Sequence, residues 1–218
     1  MRSVWRWVAK LVVRAVLGGL FDVRVDSGLP ARGPLIVVAN HQGWADGFLI
    51  AAAFPLAAPV RFLGDRDGTM SSWWHRALLE SLDLVIPIDR SRQRADRAAI
   101  ASTLAALERG EIVVVFAEGR VSHTESALSE FARGVGYFAL RAGAPVLPVW
   151  LGGTAELYLR RPLHLQIGAQ RVIERGTPSK EATVALSRTL HQDLAKLSRP
   201  WQEPERQTKR WRWLTDVF

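Results

Sequence analysis

Two periods of hydrophobicity alternate along this chain. The runs Leu35-Ile36-Val37-Val38-Ala39 and Ile112-Val113-Val114-Val115-Phe116 are continuously apolar, as expected of strands covered on both faces. Shorter β-rich runs predict strands at 22–26, 59–63, 84–88, 146–151 and 163–167, with 170–174 as an eighth candidate. Helical stretches fall between them at 46–54, 70–81, 94–109, 131–142, 179–197 and about 203–214. The alternation predicts an α/β fold, a mostly parallel sheet flanked by helices. Arg175–Ser179 reads as a loop into the last long helix, and Pro200 and Pro204 set off a tail.

The ends have a different pattern. In MRSVWRWVAKLVVRAVLGGLF, Arg2, Arg6, Lys10 and Arg14 recur every four residues and draw a basic stripe along one helical face. Val4, Trp5, Val8, Leu11, Val12, Ala15 and Val16 fill much of the rest, the pattern of a helix lying in a membrane interface with its basic residues toward headgroups. The tail segment Lys209-Arg210-Trp211-Arg212-Trp213-Leu214 repeats that chemistry, and five of the nine tryptophans lie at the two ends. The alternative for the first segment is an ordinary amphipathic helix docked on the domain. Charges interrupt any apolar core that a cleaved signal peptide would need. The longest uncharged stretch, Gly47 to Val60, has 14 residues and two prolines, against about 20 apolar residues for a span. The expected organisation is a membrane-association helix over 1–21, an α/β domain over 22–200 and a basic Trp-rich tail over 201–218, peripheral to a membrane on its cytoplasmic face.

At 218 residues the chain has room for one domain and a sizeable core. Without cysteine it has no disulfide, no thiolate nucleophile and no cysteine-based zinc site. Its net charge of +8 points to an anionic partner. A membrane surface suits the flanking tryptophans; nucleic acid is not expected, since no recognition motif or aromatic stacking platform accompanies the arginines. His75, His123, His164 and His191 have no partners at metal-ligand spacing, so no metal is assigned, with His123 a minor candidate for substrate contact.

The sharpest chemical signal is Asn40-His41-Gln42-Gly43-Trp44-Ala45-Asp46, directly after the run 35–39. On a regular helix, positions five apart point about 140° away from each other, at roughly 100° per residue. His41 and Asp46 therefore meet only if His41 sits in the turn after a strand and Asp46 opens the next helix. There the carboxylate can accept the imidazole Nδ1–H, fix the tautomer and leave Nε2 to take a proton. By itself such a spacing is more often that of a cap or a surface pair than of a catalytic dyad.

Other strand ends add to it. Ile86-Pro87-Ile88-Asp89-Arg90 follows the run 84–88, Phe116-Ala117-Glu118-Gly119-Arg120-Val121-Ser122 follows 112–116, and Val146-Leu147-Pro148-Val149-Trp150 fills 146–151. These blocks, in this order after the His-x4-Asp block, resemble the glycerolipid acyltransferases, the PlsC-like 1-acylglycerol-3-phosphate and lysophospholipid acyltransferases. The resemblance covers residues 35 to 151, with Phe131, Arg133 and Gly134 matching the family's basic-Gly helix. Ala117 stands where the family often has proline, and Arg120-Val121 where Thr-Arg is common. A Glu-Gly-Arg-aliphatic block is similar to the branch that reacylates lysophosphatidylethanolamine.

The resemblance implies transfer of an acyl group from a thioester, acyl-CoA or acyl carrier protein, to a lysophospholipid hydroxyl, with no other cofactor. It implies that His41 is the base and Asp46 its orienter, and that the second and third blocks hold the acceptor's phosphate. Arg90, Arg120 and Arg133 are then the phosphate-binding cations, since the arginine fork suits a phosphate. Gly119 lets the backbone approach closely. Glu118, of the wrong charge for a phosphate, would orient an arginine or bond an acceptor hydroxyl. Pro148 would shape a strand beside the site, by packing or by binding. No Gly-x-Ser-x-Gly elbow and no cysteine is present, so direct attack by the acceptor is simpler than an acyl-enzyme. Phe48–Leu56 reads as an acyl-chain groove or as a core helix, and Trp73-Trp74 as a lipid-facing or a buried pair. The expected acceptor is 1-acyl-sn-glycerol-3-phosphate. The alternatives are another lysophospholipid, an aminolipid, a hydrolase using the same dyad with water, and a non-catalytic lipid-binding relative.

Overall fold

The structure is a computed structural model that describes residues 2–65, 84–88, 96–132, 134–203 and 208–217. Its strands, β1 (Asp22–Val25), β2 (Leu35–Ala39), β3 (Val60–Asp65), β4 (Val85–Ile88), β5 (Ile112–Phe116), β6 (Val146–Gly152) and β7 (Pro162–Ile167), form one sheet in the order β1-β7-β6-β2-β5-β3-β4. Pairing is parallel throughout except between β6 and β7. No crossover helix lies between those two strands, and antiparallel pairing needs none. The candidate strand 170–174 is absent. Arg171 makes one isolated antiparallel bridge to Val146 of β6, after which the chain runs on as a loop to the last helix.

The described helices are α1 (Arg2–Leu20), α2 (Ala45–Ala53), α3 (Arg97–Glu108), α4 (Gly134–Ala142) and α5 (Lys180–Ala195). Local chemistry sets their ends. Asp96 caps α3 by accepting from the Ala98 and Ala99 amides, Ser179 caps α5 through Ala182, and Gly110 leaves α3 at φ +75°. The expected helix 70–81, with Trp73, Trp74 and His75, lies outside the described residues. Where a helix was expected at 203–214, the described part has only a short 3-10 helix, Arg212–Asp216. Its tryptophans and arginines point outward and only Leu214 is buried, too few apolar anchors to hold a longer helix on the domain.

Two cores sandwich the sheet. Val37, Ala39, Val114 and Val149 face α1, α2 and Leu214, while Ile36, Val38, Val113 and Val115 face α3, α4 and α5. The continuously apolar β2 is buried at all five positions for this reason. On α2, Leu49, Ile50 and Phe54 fill the first core, so Phe48–Leu56 serves chiefly as packing.

The docking of α1 reverses an expectation. Lys10 is buried and its ammonium donates to the carbonyls of Pro55 (3.1 Å), Leu56 (3.4 Å) and Ala58 (3.0 Å). Arg14 donates to Ala52 and Phe54, both at 2.7 Å. The end of α2 leaves carbonyls without intrahelical partners and carries the negative end of its dipole, and it takes these cations in preference to water. Burial, with Arg14 and Arg6 nearby, pushes the Lys10 pKa down to about 8. Lys10 and Arg14 of the basic stripe thus face the domain, and Trp5, Leu11, Val12 and Val16 face outward. Among the described residues no helix is long and apolar enough to cross a membrane.

The tail is fastened by a buried cation. Arg161, 1% exposed, donates to Gly153 O (2.7 Å), Glu125 Oε1 (3.0 Å) and both oxygens of Glu203 (3.1 Å each). The Trp201 and Tyr158 rings lie against its guanidinium, and Glu203 also accepts from Tyr158, Trp201 and Lys209. Burial would raise the Glu203 pKa, but the Trp201 and Lys209 hydrogen bonds and the Arg161 charge outweigh it and hold the carboxyl down at about 2. A released tail would protonate Glu203 near its ordinary 4.5, so its contribution is complete above that pH and lost as pH falls through about 2. Tryptophan fluorescence across pH 5 to 2 should therefore show wild type holding its tail better than Glu203→Gln at the upper end. The two should converge at the lower end, and parallel curves would refute this assignment.

Candidate active site

The turn after β2 carries the site, at the carboxyl end of a central parallel strand where open α/β sheets bind ligands. His41 lies in that turn and Asp46 in the first turn of α2, with His41 Nδ1 2.8 Å from Asp46 Oδ2. The same oxygen accepts from the Gln42 amide (2.6 Å) and the Gly43 amide (2.9 Å). An oxygen that already accepts two backbone N–H groups is an acceptor for the ring as well, so Nδ1 carries the proton. Nε2 is then the nitrogen left to take one. Asp46 is fully buried, and its Oδ1 has no hydrogen-bond partner among the described residues. The ring of His41 stacks on Phe116 with centroids 4.1 Å apart, and 23% of the side chain remains exposed.

Glu118 requires a correction. It was expected to orient an arginine or to meet an acceptor hydroxyl. Instead Oε1 accepts the His41 amide (3.1 Å) and Oε2 the Ser129 amide (2.7 Å), and the carboxylate is buried. Glu118 thus clamps the His41 turn to the loop after β5, because buried backbone N–H groups without strand partners need an acceptor. The Ser122 amide closes the same contact by donating to His41 O (2.7 Å). Gly119 adopts φ +73°, a backbone conformation that explains glycine here.

Pro148, expected to shape its strand by packing or by binding, is packed within the sheet. It is buried in β6 level with Val38, and a Cβ on Gly168 would come within 2.7 Å of its ring. Arg120 is exposed at the mouth of the loop, with Nη2 donating to Ser129 Oγ (3.2 Å). Arg90 and Arg133 lie outside the described residues. His123 is exposed and His164 and His191 are partly buried elsewhere; among the described residues no group of ligand-type side chains gathers as for a metal ion.

Three supporting residues carried no sequence signal beyond their place beside His41. Asn40 is fully buried and pairs with the Leu151 backbone in both directions (2.8 and 2.7 Å), tying the turn to β6. Gln42 reaches Thr124 O and accepts from Thr154 Oγ1, each at 3.2 Å. At Gly43 a Cβ would stand 2.8 Å from Thr154 O. A largely apolar pocket of about 420 Å³ is lined by Phe116 together with Val115, Gly119, Ile100, Val135 and Phe138, among others.

Known proteins resemble this chain in sequence and in fold. The sequence model described as acyltransferase matches residues 21–152. The chain belongs to this acyltransferase family. It is 34% identical over 110 residues to the lyso-ornithine lipid O-acyltransferase of Rhizobium meliloti, covering 50% of this chain and 35% of that protein. It is 28% identical over 176 residues to the 1-acyl-sn-glycerol-3-phosphate acyltransferase of Neisseria meningitidis, covering 78% and 66%. The chain thus spans about one third to two thirds of these curated relatives. The crystal structure of the 1-acyl-sn-glycerophosphate (LPA) acyltransferase PlsC from Thermotoga maritima shares the fold, with a TM-score of 0.66 at 21% identity over 92% of this chain and 81% of that one. The α/β fold and family expected from the four blocks are therefore met.

All three donors to Asp46 converge on one oxygen. An asparagine can place its carbonyl there and lose only the charge that steadies the imidazolium. Asp46→Asn should keep the thermal midpoint near wild type and lower kcat by about 10² or more; unchanged turnover would remove Asp46 from the mechanism. Gly43→Ala, forced against Thr154 O, should cost about 1–3 kcal/mol in a denaturant melt.

Proposed function

We propose that this acyltransferase-family chain is an O-acyltransferase that moves a fatty acyl group from a thioester to the hydroxyl of a lysophospholipid at a bilayer surface. The observation that carries the reading is His41, held by Asp46 through Nδ1, at the carboxyl end of β2 within the family region. His41 Nε2 takes the hydroxyl proton as the oxygen attacks the thioester carbonyl. The tetrahedral adduct collapses, the carbon–sulfur bond breaks, and the imidazolium returns its proton to the departing thiolate. The products are the acylated lipid and the free thiol of acyl-CoA or acyl carrier protein. General-base assistance of this kind is worth on the order of 10²–10⁴ in rate.

On the family resemblance, Arg120, Arg90 and Arg133 are assigned to the acceptor phosphate, and the exposure of Arg120 supports its part. The pocket lined by Phe116 offers an apolar space for an acyl chain. The outward face of α1 supplies contact with the membrane, which we place on the cytoplasmic side: tryptophan and aliphatic side chains there cover no part of the domain. The preferred acceptor is 1-acyl-sn-glycerol-3-phosphate. A lyso-ornithine lipid is the second reading, supported by the 34% identity to a protein of that name.

The purified chain, offered thioester donors and a panel of lysolipids, should form the acylated lipid. Mass spectrometry should show His41→Ala reducing that product by 10²-fold or more with folding intact, on the order expected for a lost base. Near-normal turnover in His41→Ala would sink the mechanism. Free fatty acid in place of the acylated product would indicate a hydrolase.

A further inference from the structure

The short helix at the end of the tail divides its residues as α1 does. Leu214 is buried in the same core cluster as Leu17 and Phe21, while Trp211 and Trp213 are 50% and 62% exposed with ring centroids 6.5 Å apart. Arg210 and Arg212 are exposed beside them, Arg212 also pairing with Glu156 at 2.7 Å. This patch adjoins α1. The amide of Arg160 donates to Leu20 O, the last residue of that helix, and the neighbouring amide of Leu159 donates to Arg210 O. One loop therefore holds the end of α1 to the tail, whose described residues 199–203 and 208–217 are called the strap.

The strap also touches both halves of the active site. Trp44, which stands between His41 and Asp46 in the catalytic turn, donates its indole N–H to Leu214 O at 2.8 Å. Upstream, Ser126 of the loop after β5 donates through Oγ to Arg199 O and accepts from the Trp201 amide. Among the described residues, the non-glycines with left-handed backbone are Ser126 (φ 60°), Arg160 (φ 64°) and Trp211 (φ 61°). Each sits at a junction with the strap or within it. Such strained conformations persist where surrounding contacts over-determine them, and they gather at ligand clamps and switch regions.

We infer that the strap is a second bilayer contact, and that through Trp44 it couples docking on an anionic lipid interface to the order of the catalytic turn. Tryptophan rings settle at headgroup level, and arginines beside them gain from an anionic leaflet. Leu214 shares a core cluster with Leu17 and Phe21, and the loop at Leu159 and Arg160 joins both segments, so the patch lies beside the end of α1. Seating Trp211 and Trp213 in the interface fixes the strap, and a fixed Leu214 carbonyl fixes the Trp44 indole three residues from His41. The inference rests on the bilayer-surface reading above, although neither arm of its test requires turnover.

The full chain is mixed with vesicles of phosphatidylglycerol and phosphatidylcholine, and with phosphatidylcholine alone. Trp211→Ser/Trp213→Ser should weaken binding to the anionic vesicles about tenfold. In vesicle-bound wild type, amide hydrogen exchange across residues 40–46 should slow severalfold. Trp44→Phe keeps an aromatic ring but loses the donor; it should bind vesicles as tightly as wild type and show no such slowing. Wild-type affinity in the double serine variant would overturn the inference, as would equal slowing in wild type and Trp44→Phe. So would a self-associated chain that the double variant dissociates and vesicles leave intact, since the patch would then be covered by a second copy. A chain that passes both arms yet transfers no acyl group would refute the proposed reaction and leave the coupling standing.

Discussion

One carboxylate oxygen organises the functional end of this molecule. Asp46 Oδ2 gathers the His41 ring and the amides of Gln42 and Gly43, and so folds a turn that regular helix geometry would open. Asp46 can do this because it lies in the first turn of α2, where the helix dipole favours a negative charge, and because burial excludes competing water. Everything around the turn maintains its position. Asn40 ties it to β6, Glu118 ties it to the loop after β5, and the stacked Phe116 ring fixes the imidazole plane.

A second constraint concerns unpaired backbone groups, and it explains several roles that side-chain chemistry alone misassigns. Lys10 and Arg14 turn inward because the end of α2 presents carbonyls with no helical partner. Glu118 turns to amides because two loops meet there without a strand between them. Both cases follow one rule: a charge that could serve a ligand or a headgroup goes first to a buried backbone group that lacks a partner. Inward cations leave α1 with an apolar outer face, which is why the helix shows tryptophan and valine to the outside.

The fold was legible where period and length agree. The runs 35–39 and 112–116 appear as strands with the same bounds, since a segment buried on both faces must be apolar at every position. Edge features were less legible. Residues 170–174 have β-forming composition but pair only at Arg171, with Val146, and among the described residues of 203–214 only Leu214 is buried. At the site, the meeting of His41 and Asp46 could be foreseen from a five-residue spacing after a strand. The clamp at Glu118 could not, because its partner Ser129 lies eleven residues on in a loop whose path no local pattern records.

By itself, the sequence determined the alternation of strands and helices, the turn in which His41 and Asp46 meet and the family, because each depends on residues near one another in the chain. Only the tertiary structure decided which way the charges face. Lys10 meets carbonyls 45 to 48 residues away, Asn40 meets Leu151, and Arg161 gathers Glu125 and Glu203 from separate segments. A periodic pattern states that a face is basic or apolar. What that face meets is set by which backbone groups elsewhere are left without partners, and that is known only once the chain has closed on itself.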